Sequence, residues 1–293
     1  MSADVAPNPE EIHRSIAMLK ELRPAYREIL DFHGEVLIAQ MESSHRIEPA
    51  MIQFPPDDLS VKFKAGLPLI FLHQFAIDSE ACAALLERLC RIAQKANATM
   101  ADSANSIMEA LDRHTIGIDL LFEKLVTDSR ASMEAISNEI KAQVDVLSFL
   151  TYSSVIPSIE EYVRRLLEDG PKAASWTRGD CPVCGSAAGL AILGEKGNRI
   201  LVCHFCRHKW AAQRMFCPFC ENREQKTLQY FYSEDEPEYR IDTCNRCHTY
   251  LKTVDVRQVD RIVHLPLEQA ATLHLDLLVR EKGFKPPEYR FCN

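Results

Sequence analysis

The chain has 293 residues, of which 46% are hydrophobic and 26% are charged, a composition typical of an ordinary globular protein. Its net charge of −8, with only a slight basic excess in residues 181–257 (11 Lys+Arg against 9 Asp+Glu), argues against a nucleic-acid binder. No run reaches the roughly 18 apolar residues of a membrane span, and the start lacks the charged-then-apolar pattern of an export signal. We therefore expect a cytoplasmic protein without membrane insertion, with two or three domains.

Residues 1–170 are predicted to form an all-α domain, a bundle of about five to seven helices. This stretch is poor in glycine and carries apolar residues at helical spacing. Asn8, followed by Pro9 and two acids, has the pattern of a helix start, and Pro24 is a candidate kink. Asp78 is expected to cap a helix whose apolar face includes Cys82 and Cys90.

Three further boundaries are expected in the helical part. The proline- and glycine-rich stretch 53–69 predicts a loop. Apolar residues from Met133 to Leu147 recur at helical spacing and predict one helix, and Pro157 is expected to begin the next. Residues 171–180 are predicted to be a short linker, because Asp169-Gly170-Pro171 ends the helical pattern.

After residue 180 the pattern changes to short β-prone runs. Two hairpins are predicted, from runs at 189–193 and 199–202 and from runs at 228–232 and 239–242, with a last strand at 250–256. A helix is expected to begin at Pro266, and the tail from Gly283 is expected to be irregular.

Eight of the eleven cysteines form four Cys-x-x-Cys pairs within 67 residues. This spacing turns two thiolates toward one ion, so four pairs predict two tetrahedral metal sites. Disulfides or redox pairs are the alternative. Because one predicted hairpin fits between the first two pairs and another between the last two, ligation in chain order is favoured over interleaved ligation. The predicted ligands of the first ion are Cys181, Cys184, Cys203 and Cys206, and those of the second are Cys217, Cys220, Cys244 and Cys247.

The remaining cysteines and the histidines near the pairs have simpler interpretations. Cys82 and Cys90 lie on one apolar helix face and are expected to be buried small hydrophobic residues, while Cys292 lies in the tail. Unpaired cysteines favour a reducing compartment. His204, His208 and His248 adjoin the pairs and could replace a cysteine, but eight cysteines already complete two sites.

The stretches around the cysteines closely resemble the formate dehydrogenase accessory protein family, FdhE. The resemblance is carried by Cys-Pro-Val-Cys-Gly-Ser at 181–186, Cys-His-Phe-Cys-Arg-His-Lys-Trp at 203–210, Arg-Met-Phe-Cys-Pro-Phe-Cys at 214–220 and Cys-Asn-Arg-Cys-His-Thr-Tyr-Leu-Lys-Thr-Val-Asp at 244–255. It covers the C-terminal half strongly, whereas the N-terminal half agrees only in length and character.

The resemblance implies an α+β multidomain fold with a helical N-terminal domain followed by two rubredoxin-like or zinc-ribbon β domains. The expected domains are residues 1–170, the linker 171–180, the first ribbon at 181–214, the second ribbon at 215–257, and a C-terminal helix and tail at 258–293. The implied role is a cytoplasmic, chaperone-like accessory protein that binds the formate dehydrogenase catalytic subunit during maturation. No small-molecule substrate and no nucleic acid are expected.

A site closed by four thiolates has no open position for a catalytic water, so we expect two metal ions and no enzyme activity. Tetrahedral thiolates accept iron and zinc, and the resemblance favours iron. Trp210, Arg214 and Lys252 are candidate partner contacts, although each has an ordinary structural interpretation. The alternative functions are a rubredoxin-like electron carrier and, less favoured, a nucleic-acid-binding zinc-ribbon protein.

Overall fold

A computed structural model describes residues 8–51, 58–127, 129–168 and 176–287. Cys292 and residues 171–175 of the predicted linker lie outside the described residues. In the described chain, helices come first, six strands follow, and two short helices end it. The helices are α1 (Pro9–Leu22), α2 (Arg27–Ser44), α3 (Asp58–Lys64), α4 (Ser79–Ala93), α5 (Ala98–Asp112), α6 (Ile118–Thr127), α7 (Ser129–Ile140), α8 (Val144–Glu168), α9 (Leu265–Ala271) and α10 (Leu273–Glu281).

The helix starts predicted at Asn8 and Asp78 are confirmed. The Asn8 side chain accepts a hydrogen bond from the Glu11 N–H, and the Glu11 carboxylate accepts one from the Asn8 N–H, which forms a capping box. Asp78 accepts from the Ala81 N–H and so begins α4. Pro24 lies in a 3-10 turn between α1 and α2, so the chain breaks there rather than kinking within one helix.

Two helix boundaries differ from expectation. The stretch predicted as a loop contains α3, a helix of only seven residues. The stripe predicted as one helix is divided after Ile140, where Lys141 takes a left-handed φ of 60° and the Ala142 N–H donates to the Ser137 carbonyl. This arrangement is a Schellman motif, and such a stop depends on a single backbone conformation that the apolar periodicity does not reveal.

Pro157 lies inside α8 instead of beginning a new helix. A proline has no N–H to donate to the carbonyl four residues earlier, here that of Ser153. The side chain of Gln40, buried in α2, donates to that carbonyl at 2.7 Å. Because a neighbouring helix replaces the missing donor, α8 continues through the proline and is 25 residues long in total.

The strands form one mixed sheet in the order β3-β2-β1-β6-β5-β4. The two predicted hairpins are present, and they join where β1 pairs in parallel with β6. Each predicted strand is found, and β3 is an additional strand at the edge of the sheet. The strands are β1 (Ala188–Leu193), β2 (Arg199–Cys203), β3 (Lys209–Ala212), β4 (Leu228–Ser233), β5 (Glu236–Cys244) and β6 (Thr249–Asp255).

The two faces of this sheet pack against different elements. On one face, Tyr239, Ile241 and Val254 pack with Leu275 and Val279 of α10. On the other face, Leu201, Trp210 and Leu251 belong to the large core that is centred on α4 and α8, together with the first four cysteines. The predicted single C-terminal helix is interrupted at Thr272, and its first half, α9, packs against α1 and α2.

A buried ion pair holds α9 to the sheet. The Arg261 guanidinium contacts the Glu268 carboxylate, and the Tyr239 hydroxyl donates to the same carboxylate at 2.6 Å. Both charged side chains are almost completely buried, so each charge needs the other to offset its loss of hydration. Within the described ranges, no helix is both long enough and apolar enough to cross a bilayer.

Candidate metal centres

The first four cysteines converge on one point beneath the helical core. The Sγ–Sγ distances are 3.6 Å for Cys181 and Cys206, 3.5 Å for Cys184 and Cys203, and 3.5 Å for Cys184 and Cys206. All four side chains are buried and unbridged by a disulfide. We call this set centre 1.

The second four cysteines converge in the same way on the outer part of the sheet. Cys217 lies 3.7 Å from Cys247, and Cys220 lies 3.7 Å from Cys244, measured between the Sγ atoms. Cys220 and Cys247 are partly exposed. We call this set centre 2. The cysteines thus group in chain order, as the hairpin spacing predicts, and not in the interleaved order.

These distances fit a four-coordinate ion. A tetrahedron with metal–sulfur bonds of about 2.3 Å has sulfur–sulfur edges of about 3.8 Å, close to the separations in both centres. A disulfide instead requires about 2.05 Å. Among the described residues, the groups able to hold a metal contain only cysteine. Each centre could therefore hold one ion with thiolates alone.

The same backbone turn builds all four cysteine pairs. The residue after the second cysteine of each pair has a positive φ between 55° and 72°: Gly185, Arg207, Glu221 and His248. In the first, third and fourth turns, the N–H of that residue donates to the carbonyl of the first cysteine, from Gly185 to Cys181, from Glu221 to Cys217 and from His248 to Cys244. Non-glycine residues seldom adopt this conformation. The recurrence of this conformation in all four turns indicates that the backbone of each turn serves to position its two sulfurs.

Burial makes an ion necessary if all the sulfurs of centre 1 are to ionise. Burial raises the pKa of Cys181 and of Cys206, so the protein alone disfavours several thiolates in one place. A bound cation would offset the negative charge of the thiolates and so allow the thiol protons to be released. In centre 2, burial opposes ionisation of Cys244, but hydrogen bonds from the Asn222 amide and from backbone N–H groups lower its pKa to about 7.

Centre 1 is attached directly to the helices. Pro182 and Val183, inside the first cysteine pair, accept backbone hydrogen bonds of 3.0 Å from Leu69 and Ile70. From α8, the Tyr152 hydroxyl lies 2.9 Å from the carbonyl of His204 and 2.7 Å from that of Phe205, inside the second pair. Centre 1 is thus part of the helical core.

Centre 2 is more open and is supported mainly by its own ribbon. The buried Asn222 amide donates to the Cys244 sulfur at 3.5 Å and to the Thr227 hydroxyl at 2.6 Å. A Cβ added at Gly179 would lie 1.9 Å from the Pro218 carbonyl oxygen, so only glycine permits this approach between the end of the predicted linker and the second ribbon. Asn222 and Tyr152 were not predicted from the sequence. The only sequence signal for Asn222 was its position two residues after Cys220. The sequence contained no signal for the role of Tyr152.

The other described cysteines and the three histidines near the pairs lie outside both sulfur groups. Cys82 and Cys90 are buried in α4, and burial raises the pKa of each thiol to about 12, as expected of inert core residues. His204 and His208 adjoin centre 1 without joining the sulfur group, and burial lowers the pKa of both. His248 is exposed beside centre 2.

The three candidate partner contacts have different environments. Trp210 is 2% exposed and belongs to the core, and its indole N–H points to the Arg178 carbonyl. Lys252 is also buried, with its Nζ 2.8 Å from the Asp276 carboxylate. Trp210 therefore packs in a core, as its structural interpretation expects, whereas Lys252 is buried and paired and so is not the exposed lysine that its structural interpretation expects. Arg214 is exposed, and its role as a contact stays a prediction.

The chain is similar to FdhE proteins in sequence and in fold. A family model described as the C-terminal domain of FdhE matches residues 215–290. An FdhE homolog of Aquifex aeolicus is 25% identical over 282 residues, covering 94% of this chain and 92% of that protein. The FdhE homolog of Pseudomonas aeruginosa is 34% identical over 128 residues, covering 40% of each chain. A crystal structure of the P. aeruginosa FdhE protein matches 98% of both chains with a TM-score of 0.68 at 20% identity, and so has the same fold.

Proposed function

We propose that this chain, which is similar in sequence to FdhE proteins, is a non-enzymatic accessory protein for the maturation of formate dehydrogenase. It acts in the cytoplasm, where it binds the catalytic subunit of that enzyme before assembly is complete. The observation that carries this proposal is the pair of tetracysteine centres on one sheet, since they match the family's motifs and supply rigidity rather than a reactive position.

Each centre holds one metal ion in this proposal, with Cys181, Cys184, Cys203 and Cys206 at centre 1 and the other four paired cysteines at centre 2. Four thiolates fill the coordination shell, so neither ion has a position for a substrate or a catalytic water. The ions fix the geometry of the ribbons, which have little core of their own around centre 2. Iron is favoured over zinc because the Cys-Pro-x-Cys turns resemble those of rubredoxin.

Elemental analysis tests the metal part of this proposal. The full chain, purified without oxygen, is expected to contain two ions. A red protein containing iron supports the favoured metal, whereas a colourless protein containing zinc contradicts it. A content near one or near four ions contradicts the two-centre assignment.

Binding and deletion experiments test the accessory role. A tagged full-length chain is expected to capture the purified catalytic subunit of formate dehydrogenase. A deletion strain is expected to lose formate dehydrogenase activity while the transcript of that enzyme stays constant. Normal activity in the deletion strain, together with no capture, contradicts the proposal and favours an electron carrier instead.

A further inference from the structure

A cavity of about 220 Å³ lies beside centre 2, between the turn that carries Cys217 and the outer strands of the sheet. Three arginines and one carboxylate line it: Arg199, Arg214, Arg240 and Asp242. The cavity therefore brings three guanidinium groups together against one side-chain carboxylate and two sulfurs of centre 2, those of Cys217 and Cys244. The candidate metal ligands do not account for this cluster, and of the three arginines only Arg214 lies in a motif that carries the family resemblance.

Arg199 is the innermost of the three cations. Its side chain is 2% exposed, one terminal nitrogen donates to the Phe216 carbonyl at 2.7 Å, and the other lies 3.2 Å from the Asp242 carboxylate. Its Nε is buried and has no hydrogen-bond partner among the described residues. A buried guanidinium N–H without an acceptor is costly.

Arg214 and Arg240 lie nearer the opening. Arg214 is exposed and forms no hydrogen bond or ion pair with any residue in the described ranges. Arg240 shares the Asp242 carboxylate with Arg199, and its guanidinium lies 5.3 Å from the centre of the Tyr230 ring. The thiolates of centre 2 take their hydrogen bonds from Asn222 and backbone N–H groups, so they do not occupy the arginine donors.

The opening of the cavity is bordered by large exposed side chains. Met215 is 47% exposed, Tyr230 is 59% exposed and Tyr232 is 64% exposed. Tyr230 and Tyr232 stand opposite Asp242 and Arg240 in the β4–β5 pairing, so they share the face that carries the cavity. Tyrosine, arginine and methionine are the residues enriched in protein interfaces. A small free anion would leave this border exposed.

We infer that this face, formed by the cavity and its three-residue border, is the docking surface for a protein segment that carries a carboxylate. The carboxylate of an Asp, a Glu or a chain terminus enters among Arg199, Arg214 and Arg240, and accepts the fork-like hydrogen bonds that guanidinium groups provide. Flanking apolar groups of the same segment cover Met215 and the two tyrosines. The inference rests on the proposed function, because it takes that segment to belong to the catalytic subunit of formate dehydrogenase.

Affinity measurements with the purified catalytic subunit and full-length variants test the location. Arg214→Glu and Tyr230→Ser change exposed side chains, so metal content and circular dichroism are expected to stay unchanged. Each variant is expected to bind the subunit at least about tenfold more weakly, as for an interface anchor. Arg246→Glu is the matched control, since Arg246 is exposed beside centre 2 and does not line the cavity.

Cross-linking tests the chemistry of the occupant. In an Arg214→Lys variant, a carbodiimide is expected to join the introduced amine to an Asp, a Glu or the C-terminus of the subunit, and peptide sequencing identifies it. The same reaction with Arg246→Lys is expected to give no such link. Equal links in both variants, or a link to neither, overturns the inference.

The outcomes separate this inference from the function on which it rests. If the unaltered chain binds no subunit, the proposed function fails and this inference fails with it. If binding occurs and is unchanged in Arg214→Glu and Tyr230→Ser, only the inference is overturned. It is also overturned if Arg214→Glu abolishes calorimetric binding of inorganic phosphate without weakening the subunit complex, or if it changes only self-association in size-exclusion chromatography.

Discussion

The hydroxyl of Tyr152 donates to the carbonyl of Phe205, 2.7 Å away, and so ties the longest helix to the backbone between two cysteines of centre 1. The Phe205 side chain is fully buried against Phe75, with ring centres 5.5 Å apart. The cysteine turn is therefore held by a helix on one side and by its own sulfurs on the other. We expect folding of the helical core and order at centre 1 to be coupled through this contact.

Tyr152→Phe is expected to destabilise the protein by about 1–3 kcal/mol, because it leaves the carbonyls of His204 and Phe205 without this buried donor. The free energy of unfolding from denaturant titration measures the effect. Metal content is expected to stay at two ions per chain, since no sulfur changes. An unchanged free energy of unfolding would show that water replaces the hydroxyl and that the contact does not couple helix and centre.

The two centres are expected to respond differently to loss of one cysteine. Cys181→Ser should lower the melting temperature of the whole chain, because centre 1 lies in the helical core. Cys220→Ser should release one ion and disorder the outer ribbon while most of the helical circular dichroism signal survives, because Cys220 is partly exposed. Elemental analysis and thermal melting measure both effects.

Cys90→Ala is the control for these variants, since Cys90 is equally buried but lies in α4. It should keep two ions per chain. Metal loss from this variant would contradict the ligand assignment, and equal thermal shifts for the two serine variants would contradict the difference between the centres.

The Gln40 amide and Pro157 are expected to be energetically coupled through the Ser153 carbonyl. Gln40→Met should cost about 1–3 kcal/mol by leaving that buried carbonyl unpaired. In a Pro157→Ala background the restored N–H can serve the carbonyl, so the same substitution should cost less. A double-mutant cycle of unfolding free energies measures the coupling. Strictly additive costs would show that the amide does not replace the proline's missing donor.

Stability is expected to fall between pH 7 and pH 5, in part through His33. Burial lowers the pKa of His33 to about 4, whereas an unfolded histidine titrates near 6.5. Below pH 6.5 the unfolded chain therefore binds a proton that the folded chain does not, and stability decreases as the pH falls. At pH 7 and above this difference disappears, because both states are neutral.

Replacing the ring without its titration tests this contribution. His33→Phe preserves the contacts with Phe32 and Phe149, whose ring centres each lie 5.6 Å from that of His33. It should reduce the loss of stability between pH 7 and pH 5 by about 1–2 kcal/mol. The exposed His13→Asn variant is the control, and an equal pH dependence in both variants would contradict the assignment.

Short-range patterns predicted much of the molecule correctly. The capping residues Asn8 and Asp78 were identified because a cap acts within three residues of its own position. Both hairpins and the grouping of the eight cysteines followed from spacing, because a two-residue gap directs two sulfurs to one side. The helix boundaries at Ile140 and Pro157 were missed, since one depends on a left-handed residue and the other on a donor from another helix.

The sequence by itself determined the two sulfur sets, since covalent spacing and one hairpin bring each set together. Only the tertiary structure decided that β1 pairs with β6 to join the ribbons, that α8 reaches centre 1 through Tyr152, and that the helical core closes over centre 1 while centre 2 stays partly exposed. It also decided that Arg199 and Arg240, 41 positions apart, line one cavity. Such contacts depend on the packing of residues far apart in the chain, which leaves no periodicity or spacing in the sequence.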